Sequence, residues 1–144
     1  RNKLGLFGLD DKDKFLILDL LTWMHEKKAD YTNTFCHLMN ENIEENDNYD
    51  DKDFQNWKKR WNERLKINNN SYEKYLKLMR ANNPLVIPRN HKVEEVLKEA
   101  DHSNLKPINQ MVEILSKPYA KHQNILDYQV LPSLVEKYQT FCGT

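Results

Sequence analysis

The side chains that could bind a metal ion or react with a substrate are scattered along this sequence. None of the histidines has a partner four residues away or belongs to a His-Glu-x-x-His run, which are the spacings of zinc sites on helices. They are His25, His37, His91, His102 and His122. Cys36 and Cys142 form no Cys-x-x-Cys motif. With only three glycines, the chain also lacks a glycine-rich phosphate loop. The sequence therefore predicts no catalytic residue, no metal site and no cofactor in this chain.

An acidic, asparagine-rich stretch at residues 41–53 is the one candidate for calcium. An EF-hand loop needs glycine at its sixth position and glutamate at its twelfth. Counted from Asp47, these positions hold Lys52 and Lys58. The stretch is therefore interpreted as a solvated loop.

A basic cluster lies beside two tryptophans, Trp57 and Trp61, and this combination suggests binding to single-stranded nucleic acid. The cluster consists of Lys58, Lys59, Arg60, Arg64 and Lys66. Three successive helical residues fan over about 200°, so these charges do not share one face. The chain also carries 22 basic and 22 acidic residues, so its net charge is zero. We expect the tryptophans to be core residues, with no nucleic-acid partner.

The sequence elements predict an all-α fold, an irregular bundle of about six helices in a single domain, residues 1–144. The low glycine count favours helices, because hairpins need turn glycines. Asp30, Ser71 and Asn90 are predicted N-caps. Pro84 and Pro88 bracket a predicted extended break. Residues 119–144 show no strong period and are predicted to be an extended tail.

Residues 11–27 form the predicted first helix, which has apolar side chains at almost every angle. Such a helix is either central to its domain or in contact with two bodies at once. Leu18 and Leu21 distinguish the two cases, being buried in the first and exposed in an apolar patch in the second.

Three further features bear on the setting of the chain. No apolar run approaches 18 residues, so no membrane partner is expected. Two cysteines do not make a disulfide framework, which favours the reducing cytoplasm. The chain opens on Arg1 with Leu4, Leu6 and Phe7 close together, as expected inside a longer polypeptide. On physical grounds alone it is a helical accessory or interaction domain.

Several motifs follow one another along the chain. The longest is the run Asn83-Pro84-Leu85-Val86-Ile87-Pro88-Arg89-Asn90-His91, followed by Val93-Glu94-Glu95 and Ala100. The others are residues 30–35, Trp57 and Trp61 with Arg64, Pro118-Tyr119, and the closing run Thr140-Phe141-Cys142-Gly143-Thr144. In their order and rough spacing these motifs resemble the C-terminal region of the selenoprotein O family.

The resemblance implies a parent enzyme with a protein-kinase-like fold that transfers AMP from ATP to hydroxyl side chains of protein substrates. ATP, Mg²⁺ and the catalytic residues would belong to the kinase-like body, which would also be the partner of this C-terminal fragment. Cys142 matches the family's terminal cysteine, or selenocysteine, and is the redox-regulatory candidate through a partner cysteine in that body.

The motif residues Asn83, Pro84, Arg89 and Asn90 are assigned structural roles, Asn90 as a cap and Arg89 in an ion pair. The alternative to a C-terminal extension is a free-standing helical protein-interaction module. An upstream reading frame with kinase-like motifs would favour the C-terminal extension. An initiating Met beside Arg1 would favour the free-standing module.

Overall fold

The computed structural model describes residues 1–41 and 47–132. These ranges hold seven α-helices and no strand, which confirms the all-α prediction. The helices are α1 (Asp13–Lys27), α2 (Tyr31–Leu38), α3 (Lys52–Lys66), α4 (Tyr72–Arg80), α5 (Asn90–Asp101), α6 (Lys106–Ser116) and α7 (Ile125–Gln129). Two short 3₁₀ turns, Asn2–Leu4 and Asp47–Asp50, complete the elements.

The chain divides into two compact units, Arg1–Leu85 and Val86–Thr144. The first unit contains α1 to α4, and the second contains α5 to α7. The single domain expected from the length stays a prediction, and each unit is described by itself.

The core of the first unit lies where α1 packs against α3. The predicted core position of Trp57 and Trp61 is confirmed, and Phe54 on the same helix is buried with them. Trp57 and Trp61 stack with ring centroids 5.8 Å apart. Each indole also donates a hydrogen bond to a backbone carbonyl, Trp57 to Leu16 at 2.8 Å and Trp61 to Leu4 at 2.9 Å. The tryptophans are therefore core residues whose polar atoms are satisfied.

Local capping signals set most helix starts in the first unit. Asp30 accepts from the backbone N–H of Asn33 and caps α2, as predicted. Ser71 caps α4 in the same way, through the N–H of Lys74.

The acidic stretch is more structured than predicted. Asp47–Asp50 form a 3₁₀ turn and the Tyr49 side chain is 3% exposed, so this part is not a solvated loop. The reason is aromatic packing, since the Tyr49 ring lies 5.2 Å from that of Phe54. Residues 42–46 of the stretch lie outside the described ranges.

The second unit is built on α5 packed against α6, with Val96, Met111 and Ile114 buried. Asn90 was predicted as the cap of α5, and this is wrong. Arg89 occupies the N-cap position with extended backbone, and Asn90 is the first helical residue.

The predicted irregular tail also needs correction, because residues Ile125–Gln129 form α7. Ile125 and Gln129, four residues apart, are its buried positions. A five-residue helix is too short to show a period in sequence. The rest of the tail, residues 133–144, lies outside the described residues.

Candidate docking face and predicted site residues

A buried ion pair fixes the start of α1 against the last turns of α3. The Arg64 Nε lies 2.6 Å from one Asp13 oxygen, and its Nη2 lies 3.1 Å from the other. The same Nη2 donates to the carbonyl of Phe7 at 3.0 Å. Asp13 is 3% exposed and Arg64 is 7% exposed. Arg64 therefore points inward and does not belong to a solvated basic cluster.

Asp51 joins the other end of α1 to the start of α3. Its carboxylate accepts from the Trp23 indole at 2.9 Å and from Lys27 Nζ at 2.7 Å. It also accepts from the N–H groups of Asp53 and Phe54, which caps α3. The hydrogen bonds from Lys27 and Trp23 lower the pKa of Asp51 to about 2. The two anchors set the rotation of α1 about its axis.

This rotation buries one side of α1 and exposes the other. Leu16, Leu20, Trp23 and Met24 are buried. On the opposite side Phe15 is 57% exposed, Leu18 56% and Leu21 41%. These three residues, here called the α1 face, follow one another at intervals of three, so they are neighbours on the helix surface. Leu18 and Leu21 are thus exposed and the central-helix alternative is wrong, whereas contact of this face with a second body stays a prediction.

A groove of about 690 Å³ lies beside the α1 face. Phe15, Leu16 and the 64% exposed Ile67 provide its apolar lining. Arg60 also lines it and forms an ion pair of 2.7 Å with Asp19 of α1. The arrangement is an apolar centre with a charged edge, which is typical of protein–protein contacts.

Asn83 is the most deeply buried of the predicted motif residues, at 1% exposure. Its amide donates to the carbonyls of Lys3 at 2.8 Å and Met79 at 3.0 Å. Its side-chain oxygen accepts from Lys3 Nζ at 3.3 Å. Asn83 therefore ties the end of α4 to the N-terminal turn, and Pro84, half-buried, starts the non-helical run after it. Arg89 is half-buried at the N-cap of α5, and its pairing with an acid stays a prediction.

The structure describes Cys36 but not Cys142. Cys36 is fully buried on α2, with its Sγ 3.9 Å from the carbonyl oxygens of Pro84 and Leu85. A buried thiol of this kind is chemically inert. Cys142 lies outside the described residues, so its redox role stays a prediction.

His37 was not distinguished from the other histidines by sequence. Its ring stacks on Tyr49, with centroids 3.9 Å apart, and meets the edge of Phe54 at 5.7 Å. Its buried Nε2 has no hydrogen-bond partner among the described residues. Burial, and secondarily the charge of Lys58, lowers the pKa of His37 to about 4. The folded protein therefore holds this imidazole neutral.

Acidification is expected to destabilise the first unit through His37. Between about pH 6.5 and 4 the unfolded chain binds a proton that the folded chain does not, so the free energy of unfolding decreases as the pH decreases. The loss is on the order of 1–3 kcal/mol, since one pKa unit corresponds to about 1.4 kcal/mol. Urea unfolding is followed by tryptophan fluorescence, because all three tryptophans lie in this unit.

The comparison is between the natural chain and His37→Gln over that pH range. The stability advantage of the natural chain is expected to shrink as pH falls. An advantage that stays constant would contradict the assignment. His25→Gln, at an exposed histidine, is the matched control for the substitution of histidine by glutamine.

The described parts of the chain contain no group of three or more His, Cys, Asp or Glu side chains placed to hold a metal ion. In the same ranges no helix has the length and apolarity needed to cross a membrane. The described residues thus form a buried ion pair and an aromatic core, and they leave the α1 face exposed.

Two comparisons with known proteins bear on this arrangement. The sequence model of the protein adenylyltransferase SelO family matches residues 1–116. Among curated proteins, the chain is 50% identical over 145 residues to the protein nucleotidyltransferase YdiU of Pelagibacter ubique, covering 100% of this chain and 30% of that protein. It is 44% identical to the Alcanivorax borkumensis protein of the same name, covering 99% of this chain and 30% of that protein.

A third protein nucleotidyltransferase YdiU, from Nitrosococcus oceani, is 41% identical over 146 residues. It too is matched over 100% of this chain and 30% of its own length. The chain thus spans about 30% of the length of the curated relatives it matches.

Proposed function

Because the chain belongs to the protein adenylyltransferase SelO family, we propose that it is the non-catalytic, C-terminal helical region of an enzyme that transfers AMP from ATP to protein hydroxyl groups. The observation that carries this proposal is a match along the whole chain to nucleotidyltransferases more than three times its length. The chain contributes docking and structural residues, and the chemistry belongs to the remaining polypeptide.

The side chains of this region support placing the nucleotide elsewhere. Transfer from ATP needs carboxylates that hold Mg²⁺ and groups that bind the phosphates. Within residues 1–41 and 47–132 no group of three or more His, Cys, Asp or Glu side chains is placed to hold a metal ion. We place ATP and Mg²⁺ on the kinase-like body, which is the proposed partner of this region, and propose proteins as the substrates. We place the enzyme in the cytoplasm, where a buried thiol such as Cys36 stays reduced.

The test is AMP transfer by the full-length protein. ATP labelled on the α-phosphate is expected to label protein, whereas ATP labelled on the γ-phosphate is not. Incorporation of γ-label instead would indicate a kinase, and no incorporation of either label would refute the proposed activity.

Cys142 is proposed as a redox latch of the full-length enzyme. A disulfide from Cys142 to the kinase-like body would close a long loop and restrain the active site until it is reduced. Reductant is therefore expected to raise AMP transfer several-fold in the natural protein and to leave Cys142→Ala unchanged, at the reduced level.

The matched control for the latch is Cys36→Ala, at the buried thiol. It is expected to respond to reductant as the natural protein does. If reductant acts equally on the natural protein and on Cys142→Ala, the latch is not at Cys142.

A further inference from the structure

The α1 face and Ile67 together expose a substantial apolar surface. Their exposed fractions lie between 41% and 64%. At about 200 Å² for a fully exposed large side chain, they present roughly 400 Å². That is within the range of the largest apolar patch on a typical monomer, and such patches are commonly functional.

We propose that this surface is covered, in the full-length protein, by the part of the polypeptide that this chain lacks. The inference rests on the proposed function, since it takes the chain to be one region of a longer enzyme. It adds which surface of the region makes the contact: the outer side of α1, beside the groove that Ile67 lines.

Most of the full-length polypeptide is available to cover this surface. The chain covers 30% of its relatives, so about 70% of such a polypeptide lies outside it. A segment of the same molecule is present at a high effective concentration, so a surface of modest area is enough to hold it.

Helix α1 cannot bury the α1 face by rotating about its own axis. Arg64 holds Asp13 with two hydrogen bonds at one end, and Trp23 donates to Asp51 towards the other. Rotation would break both anchors and would leave buried charges unpaired. Phe15, Leu18 and Leu21 are therefore held outward in a fixed arrangement, as a preformed contact requires.

A second copy of the chain is the competing occupant. The Asp19–Arg60 pair at the edge of the groove is internally neutralised, so it offers no charge for a symmetric partner to match. Dilution distinguishes the two occupants, because only a contact between separate molecules weakens as the concentration falls.

The test measures thiol access in the native full-length protein. Leu18→Cys places a thiol at the centre of the α1 face, and Glu73→Cys places one on α4 at an exposed position. Reaction with N-ethylmaleimide is followed at each site by mass spectrometry of its peptide. Position 18 is expected to react at least tenfold more slowly than position 73 in the native protein, and equally fast after unfolding in urea.

Equal rates in the native protein would overturn the proposal, because the face would be open. Protection at position 18 that disappears on hundredfold dilution would also overturn it, because the cover would then be a second copy. If Leu18→Cys does not fold, Thr22→Cys, an exposed position one turn further along α1, replaces it. AMP transfer is assayed on the same natural protein, so a failure of the proposed activity is seen separately from a failure of protection.

Discussion

Replacing Asp13 with alanine is expected to lower the free energy of unfolding of the first unit by about 3–5 kcal/mol, because it removes the carboxylate that is hydrogen-bonded to the buried Arg64 guanidinium. The Asp10 carboxylate, 4.0 Å from Arg64 Nε, is too distant to replace those hydrogen bonds. Arg64 is 7% exposed and holds Asp13 with two hydrogen bonds, at 2.6 and 3.1 Å. Urea unfolding followed by tryptophan fluorescence measures the loss.

The matched control is Asp19→Ala, which removes the same group from an exposed ion pair of similar length. Arg60 and Asp19 lie 2.7 Å apart with about half of each side chain exposed. Surface pairs contribute about 0.2–1 kcal/mol. If Asp13→Ala and Asp19→Ala cost the same small amount, the ion pair at Asp13 does not anchor α1.

Phe54→Ala is expected to cost about 3–5 kcal/mol, since it opens a cavity in the aromatic core. Phe54 is completely buried, with its ring 4.5 Å from that of Trp23 and 5.8 Å from that of Trp57. The same fluorescence measurement applies, because all three tryptophans remain in the variant.

Phe15→Ala is the control for Phe54→Ala, as it makes the identical change on the α1 face. With Phe15 57% exposed, the cost in this chain alone is expected to stay within about 0.5 kcal/mol. A large decrease in the free energy of unfolding for Phe15→Ala, or a small one for Phe54→Ala, would mean that the buried and exposed positions are wrongly assigned.

Local signals in the sequence identified six of the seven helices in the described residues and the starts of α2 and α4. Asp30 and Ser71 cap helices because a short polar side chain reaches an N–H two or three residues later, and such a contact needs no tertiary context. Phe54, Trp57 and Trp61 were found because an amphipathic helix repeats its buried positions. Asn90 was misassigned by one residue, since the extended Arg89 precedes the helix.

The side of α1 that is covered could not be predicted in the same way. The sequence of a helix with apolar residues all round does not show which side is buried. Here the buried side is set by two contacts between residues distant in the chain. Arg64 binds Asp13, 51 residues away, and Asp51 binds Trp23, 28 residues away. Asp51 carried a usable signal, because an Asp two or three residues before an apolar helical stripe is a cap. Asp13 carried none, since its burial depends on contacts distant in the chain.

The central claim is that this region binds no nucleotide and that the remaining polypeptide does. Calorimetric titration of ATP with Mg²⁺ into the 144-residue chain, and into the full-length protein as the positive control, tests it most directly. Circular dichroism first establishes that the chain is helical. We expect no binding heat from the 144-residue chain and saturable binding of ATP by the full-length protein. Micromolar affinity of the chain itself for ATP would contradict it.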